Sequence, residues 1–197
     1  SYFSTYQRTN TEIRALVDLN RTEETISAGL RKSYKSLINW GKRELRLEFF
    51  DQGTIGEKEI VIFENFHIET AGRRTRSEES WRRQMEIIQA GFGFMCLAYM
   101  GEKLVSGIMV FHGTESAFYG TSVNDRSLMS ENKPISHWPL LASIFECKKR
   151  GLKTFDLGSM NEIQGDPKFD FIVKFKRGFS DNLAAETYHV VDIGIEK

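Results

Sequence analysis

A mixed, mainly antiparallel β-sheet with helices on both faces, an α/β (α+β) arrangement, is the fold class that this sequence predicts. Three observations predict it. Residues 20–91 carry apolar stripes at helical spacing. At Phe92 the period falls to two, and three short strand patterns follow with brief turns between them, the mark of an antiparallel meander. Beyond residue 135 helix and strand alternate, and a strand that follows a helix pairs parallel to an earlier one.

Each element has its own signal. Residues 12–19 read as a short strand. Asn20 caps a helix, with Glu23 placed for a capping box, and Ile26, Leu30, Tyr34, Leu37 and Ile38 form its stripe. Leu45–Phe50 alternates as a strand. Residues 57–71 form a helix with Ile60, Phe63, Phe66 and His67 on one face. Thr75 and Glu78 suggest a second capping box, and Trp81, Met85 and Ile88 carry that helix to Gly91. Strands follow at 92–100, 104–112 and 117–123, with Gly101-Glu102-Lys103 as a turn. A polar loop at 124–133 precedes a helix over 135–150, whose apolar face holds Trp138, Leu141 and Phe145 and which Gly151 ends. A strand at 153–157, a short helix and a last strand near 184–193 complete the pattern.

Composition narrows the function classes. With 197 residues the chain can bury a real core, and we read residues 1–197 as one domain. Lys and Arg (27) balance Asp and Glu (27), so there is no global electrostatic case for nucleic acid, only room for local basic patches. No apolar run approaches the ~18 residues of a membrane span, and no signal peptide is visible. Cys96 and Cys147 sit in apolar stretches and read as buried thiols, which fits a reducing cytoplasm. No cysteine or histidine has metal-ligand spacing. Ser159 lacks a nucleophile elbow, and neither a Walker loop nor a GxGxxG is present.

Four groups of residues can carry chemistry, each with a plainer reading beside it. Arg73, Arg74 and Arg76 lie just before a helix start, where free N–H groups and arginine forks bind phosphate or carboxylate; otherwise they form a solvated turn. Lys174-Phe-Lys-Arg-Gly-Phe179 frames cations with aromatics, either for a nucleotide or phosphate or as an amphipathic edge. Asp156 ends a strand, where ligands gather in open sheets, and could serve as general base or orient a substrate, or simply cap a loop. Arg31, Lys32 and Lys35 can approach a phosphate or face solvent. Of the four histidines, only His137, near a helix start, stands out; the rest read as core or surface residues.

In order along the chain, four segments resemble the FemAB-type branch of the GNAT acyltransferase superfamily: Leu30-Arg-Lys-Ser-Tyr-Lys-Ser-Leu-Ile-Asn39; Phe66-His-Ile-Glu-Thr-Ala-Gly-Arg-Arg-Thr-Arg76 with Ser77-Glu-Glu-Ser-Trp81; Phe155-Asp-Leu-Gly158; and Phe175-Lys-Arg-Gly-Phe179. The resemblance spans roughly residues 14–190. It implies a GNAT-like fold and direct transfer of an acyl group to an amine, with no covalent enzyme intermediate. FemAB proteins use aminoacyl-tRNA and extend the peptide of a peptidoglycan precursor. Relatives with the Ala-Gly-Arg-x-Thr-Arg segment occur with exopolysaccharide synthesis and are described as acetyltransferases. The family's phenylalanine–lysine pair maps to Phe175 and Lys176, and its basic helix loosely to Lys32 and Lys35.

These readings define an expected site. Asp156, Tyr119 and Lys176 carry the chemistry, with backbone N–H groups from Tyr119 to Ser122 polarising the acyl carbonyl. Phe175, Lys176, Arg177, Ser122 and His137 hold the donor. Arg73, Arg74, Arg76, Lys32 and Lys35 hold anionic parts of the substrate. The donor is acetyl-CoA or another acyl-CoA, or an aminoacyl-tRNA; the acceptor is an amine of a cell-envelope sugar or peptide precursor. Residues 125–135, where GNAT enzymes carry a glycine-rich coenzyme A loop, contain no glycine, which leaves the donor open. The start at Ser1 and the two-subdomain build of FemAB proteins imply an N-terminal domain or partner chain. The rival reading is a non-catalytic GNAT-fold module or subunit that recognises a phosphorylated or nucleotide ligand.

Overall fold

A computed structural model describes residues 7–160, 167–180 and 182–191. The chain runs β1 (Gln7–Asp18), α1 (Glu23–Gly29), α2 (Tyr34–Glu44), β2 (Arg46–Phe50), α3 (Glu57–Ala71), α4 (Glu78–Gln89), β3 (Gly93–Met100), β4 (Lys103–His112) and β5 (Ser116–Asn124). It continues with α5 (Arg126–Ser130), α6 (His137–Lys149), β6 (Thr154–Ser159), α7 (Pro167–Arg177) and β7 (Asn182–Val191). Among the described residues, seven strands form one sheet in the order β2-β3-β4-β5-β6-β1-β7. Every neighbouring pair is antiparallel except β5 and β6. The parallel pairing expected of the strand after the 135–150 helix is therefore present.

The sheet is covered on both faces because its central strands are apolar on both. Phe94, Cys96, Ile108 and Val110 turn one way, into a cluster with Ile26, Ile38, Leu140 and Ile144. Their neighbours Met95, Leu97 and Met109 turn the other way, against Ile60, Phe63, Trp81 and Ile88. This is the strand alternation of side chains, and it seats α1, α2, α6 and α7 on one face and α3 and α4 on the other. Fully buried side chains such as Phe94 and Phe155 each contribute about 1.5–3 kcal/mol of burial. Both cysteines are buried free thiols, as expected. Among the described residues no helix is long and apolar enough to cross a membrane.

Several boundaries depart from the sequence reading. The single helix expected from Asn20 to Ile38 is two helices. Leu30 is extended (φ −62°, ψ 148°), and the Arg31 amide donates to the Gly178 carbonyl at 2.9 Å instead of continuing the helix. The caps fall two residues later than read: the Thr22 and Ser77 side chains accept from the Thr25 and Ser80 amides. Within the expected loop at 124–133, Asp125 caps the short helix α5, its carboxylate taking the amides of Ser127 and Leu128. The first strand begins at Gln7 because β7 pairs with it along its whole length. The end of the last expected strand, 192–193, lies outside the described residues.

Candidate functional site

The sheet opens where its one parallel pair gives out. β5 and β6 pair at Ser116↔Thr154, Ala117↔Phe155 and Phe118↔Asp156, and no further. Both strands go on, but each keeps only its outer neighbour: β5 follows β4 as far as Ser106↔Asn124, and β6 follows β1 to Arg14↔Ser159. The space between them is a cleft of about 830 Å³. β5 lines it from Phe118 to Asn124 and β6 from Leu157 to Ser159. α7 contributes Phe171, Ile172, Phe175 and Lys176. The end of α3 and its loop contribute His67, Thr70, Ala71, Arg73 and Thr75.

β5 is kinked within the cleft. Met109 opposes Thr121 and Val110 opposes Tyr119, so Gly120 has no partner across the ladder. This is a bulge, which frees backbone polar groups from the ladder and re-aims the strand. Only glycine fits: a Cβ at residue 120 would lie 2.5 Å from the Phe111 ring.

Charge in the cleft is one-sided. Among the described residues, Arg73, Arg126 and Lys176 line it, and no Asp or Glu does. Lys176 is half-buried and its Nζ donates to the Ser159 carbonyl at 2.9 Å. Burial pulls its pKa down; Asp156 and Glu12 oppose that, and Arg14 adds to it. His67 Nδ1 lies 3.4 Å from the Thr75 hydroxyl. Burial, with the nearby Arg76 charge, holds this imidazole below the usual histidine pKa and so neutral near pH 7. Burial also raises the Tyr119 phenol, against a hydrogen bond with Ser122. That phenol stays protonated.

Of the expected site residues, the cleft gathers Tyr119, Ser122, Phe175, Lys176 and Arg73. The others stand elsewhere. Asp156, expected as a base, is not among the lining residues: its Oδ2 takes Arg14 Nε at 2.7 Å and Nη2 at 2.6 Å, and its Oδ1 takes the Gly158 amide at 2.6 Å. His137 lies beside the cleft in a cluster with Tyr34, Phe175 and Phe179, and Ser136 faces the cleft instead. Its burial drives the ring pKa down to about 4, against the Pro134 carbonyl.

Arg74 pairs with Glu64 and Glu78, and Arg76 stacks on Trp81 at 5.7 Å. Arg177 is exposed on α7, outside the lining. Lys32 is exposed in the turn between α1 and α2, and Lys35 lines a separate hollow against α1 and Leu141. Their neighbour Arg31 binds the end of α7, donating from Nη2 to the Lys174 carbonyl at 2.7 Å.

Lining residues that the sequence does not single out for the site include His67, Phe118, Arg126 and Gly158. His67 sat in the apolar stripe of its helix and was read as core. A glycine at the end of a strand, as at Gly158, was the one local signal, since φ there is +84°. The segment that enters α6 offers little to a pyrophosphate. Pro139 has no N–H, and the His137 amide donates to Pro134 at 3.4 Å, which leaves the Trp138 amide alone at that helix start. Among the described residues no group of acidic, histidine or cysteine side chains could hold a metal ion.

No family model and no curated protein sequence matches the chain. Solved structures do. FemX superposes with a TM-score of 0.69 at 11% identity over 90% of this chain. L-PGS from Bacillus licheniformis gives 0.67 at 13% identity over 92%. A tandem GNAT protein from the clavulanic acid biosynthesis pathway gives 0.55 at 13% identity over 98%. The chain spans 59% of the FemX chain, 60% of the L-PGS chain and 57% of the tandem GNAT chain. The fold is therefore GNAT-like: the expected mixed sheet, helices on both faces, shared with these structures.

Proposed function

We propose that the chain is a FemAB-like acyltransferase domain that transfers an acyl or aminoacyl group directly to an amine in the cleft between β5 and β6. The observation that carries this reading is the cleft itself. It joins a glycine-dependent bulge, a half-buried lysine and, among the described residues, two arginines at the place where the sheet parts.

The chemistry follows from those groups. The acceptor nitrogen attacks the acyl carbonyl, and the carbonyl oxygen gains negative charge. Backbone N–H groups of the kinked segment Tyr119–Ser122 and the Lys176 ammonium face that charge, an oxyanion-type role. The tetrahedral intermediate collapses and expels the thiolate of coenzyme A or the ribose oxygen of a tRNA. His67 takes the proton that the amine loses and passes it to the leaving sulfur or ribose oxygen, since its neutral imidazole lines the cleft while the Asp156 oxygens are engaged elsewhere. Arg73 and Arg126 hold the phosphates or carboxylates of donor or acceptor. The acceptor is an amine of a cell-envelope sugar or peptide precursor, by the FemAB resemblance. By the FemAB resemblance, a further domain or partner chain completes the acceptor side.

The segment before α6 offers little to the pyrophosphate of coenzyme A, while Arg73 and Arg126 in the cleft can hold an anion, which favours a second reading, a binding module that recognises a phosphorylated ligand without turnover. Thermal-shift screening against acetyl-CoA, coenzyme A and UDP-sugars separates the two, followed by a transfer assay with each ligand that stabilises. Stabilisation by acetyl-CoA with acetyl transfer supports the enzyme. Stabilisation by any ligand without transfer, from acetyl-CoA or aminoacyl-tRNA, supports the module.

A further inference from the structure

We propose that Arg14 is a positioning residue for the cleft, gripping β5 and β6 at the point where they part and fixing, through Asp156, the turn on which Lys176 rests. The proposal rests on the transfer reading above for its catalytic meaning, though not for its geometry.

The last rung between the two strands is Phe118↔Asp156. Arg14, reaching in from β1, touches both halves of it. Two of its nitrogens converge on Asp156 Oδ2 at 2.7 and 2.6 Å, and its guanidinium carbon stands 5.6 Å from the centre of the Phe118 ring. Glu12 at 2.9 Å and Glu186 at 3.7 Å hold the guanidinium from behind. Beyond that rung no ladder hydrogen bond sets the gap between β5 and β6. A cation anchored to β1 and β7 and bound to both strands sets it instead.

Asp156 passes the constraint onward. Its Oδ1 accepts the Gly158 amide at 2.6 Å and closes a left-handed turn with φ +84° at that glycine. The next residue, Ser159, offers its carbonyl to Lys176 Nζ at 2.9 Å. A Cβ at Gly158 would stand 3.3 Å from that nitrogen and 3.4 Å from the Phe118 ring, so the turn and the ammonium are in close contact. Asp156 is thus a link to Lys176 rather than a base. Among the described residues, the charged groups around the ammonium are Asp156, Arg14 and Glu12, with Arg73, Arg126 and His67 sharing the cleft.

The test reads Lys176 directly and needs no turnover. Trace acetic anhydride labels neutral amines, and mass spectrometry gives the labelling rate of Lys176 against pH in the folded protein. In Asp156→Asn an anion is lost, the ammonium gives up its proton more readily, and labelling at fixed pH rises about 3–10-fold. In Arg14→Met a cation is lost and Asp156 turns to the lysine, so labelling falls by about the same factor. Arg14→Lys keeps the charge and stays near wild type. Should Arg14→Met fail to fold, the Asp156→Asn and Arg14→Lys pair still decides. An unchanged rate in Asp156→Asn, or changes of the same sign in Asp156→Asn and Arg14→Met, overturns the proposal. Where transfer is measurable, Arg14→Met lowers kcat by about 10²-fold with little change in KM, the scale of a misplaced reacting group. A protein without transfer activity that still shows the opposed labelling keeps the clamp and loses only the catalytic reading.

Discussion

The Cβ position of Gly120 lies 2.5 Å from the ring of Phe111, so β5 can kink into the cleft only because residue 120 has no side chain. Gly120→Ala forces the ring or the strand to move, at a cost of about 1–3 kcal/mol. Phe111→Leu in the same chain removes the obstacle and returns part of that loss. Urea unfolding of the two variants checks this. Full wild-type stability in Gly120→Ala alone would mean that the bulge does not need glycine.

The arginines of the 73–76 segment divide by position. Arg73 lines the cleft, whereas Arg76 lies over Trp81 and Arg74 is paired with Glu64. Arg73→Ala weakens binding of an anionic ligand by about tenfold, the scale of one charge-assisted contact. Arg76→Ala changes it little. Titration calorimetry with the ligand found by thermal shift reads both. An equal loss in the two variants would place the anion outside the cleft.

His67 predicts a pH profile. Burial and the Arg76 charge lower its pKa, so the base is already free below the usual histidine range. The kcat/KM for transfer rises with pH through an inflection below 6.5, the unperturbed histidine value. His67→Gln removes that inflection and costs about 10²-fold or more at the plateau. A wild-type inflection well above 6.5 would assign proton removal to another group.

His137 ties stability to pH with a definite sign. Burial lowers its folded pKa to about 4 from the usual 6.5. Between those two values the unfolded chain binds the proton and the folded chain does not. The stabilisation is therefore complete above about 6.5 and is lost as pH falls toward 4, a loss of about 3 kcal/mol. Urea midpoints for wild type and His137→Leu across that window test it: the variant, with no imidazole to charge, shows the smaller decline. Parallel declines would remove His137 as the cause.

Much of the fold was legible because it rests on local patterns. The meander from Gly93 to Asn124 and the helix over His137–Lys149 carry apolar periodicities that burial then enforces. What was hidden depends on partners distant in sequence. The outer half of β1, Gln7–Glu12, has no apolar stripe and is a strand because β7 lies beside it. The helix break at Leu30 is set by a hydrogen bond from Arg31 to Gly178, which the unbroken stripe through Tyr34 could not announce. The site shows the same division. Arg73, Tyr119, Ser122, Phe175 and Lys176, expected from charge, strand position and the FemAB resemblance, line the cleft. His67 was taken for core because helix spacing cannot say which end of an apolar stripe meets an opening in the sheet. Asp156 had the position of a base, but the arginine that occupies it is supplied by a strand 142 residues away.

Acyl transfer in the β5–β6 cleft, which Lys176 lines, stands or falls on one measurement. It is tested most directly by single-turnover transfer from radiolabelled acetyl-CoA and from aminoacyl-tRNA to a UDP-linked peptidoglycan precursor, by wild type and by folded Lys176→Met. The account predicts transfer from one of the two donors by wild type and a loss of about 10²–10³-fold in the variant. Equal rates in the two proteins, or no transfer from either donor by folded wild type, would contradict it.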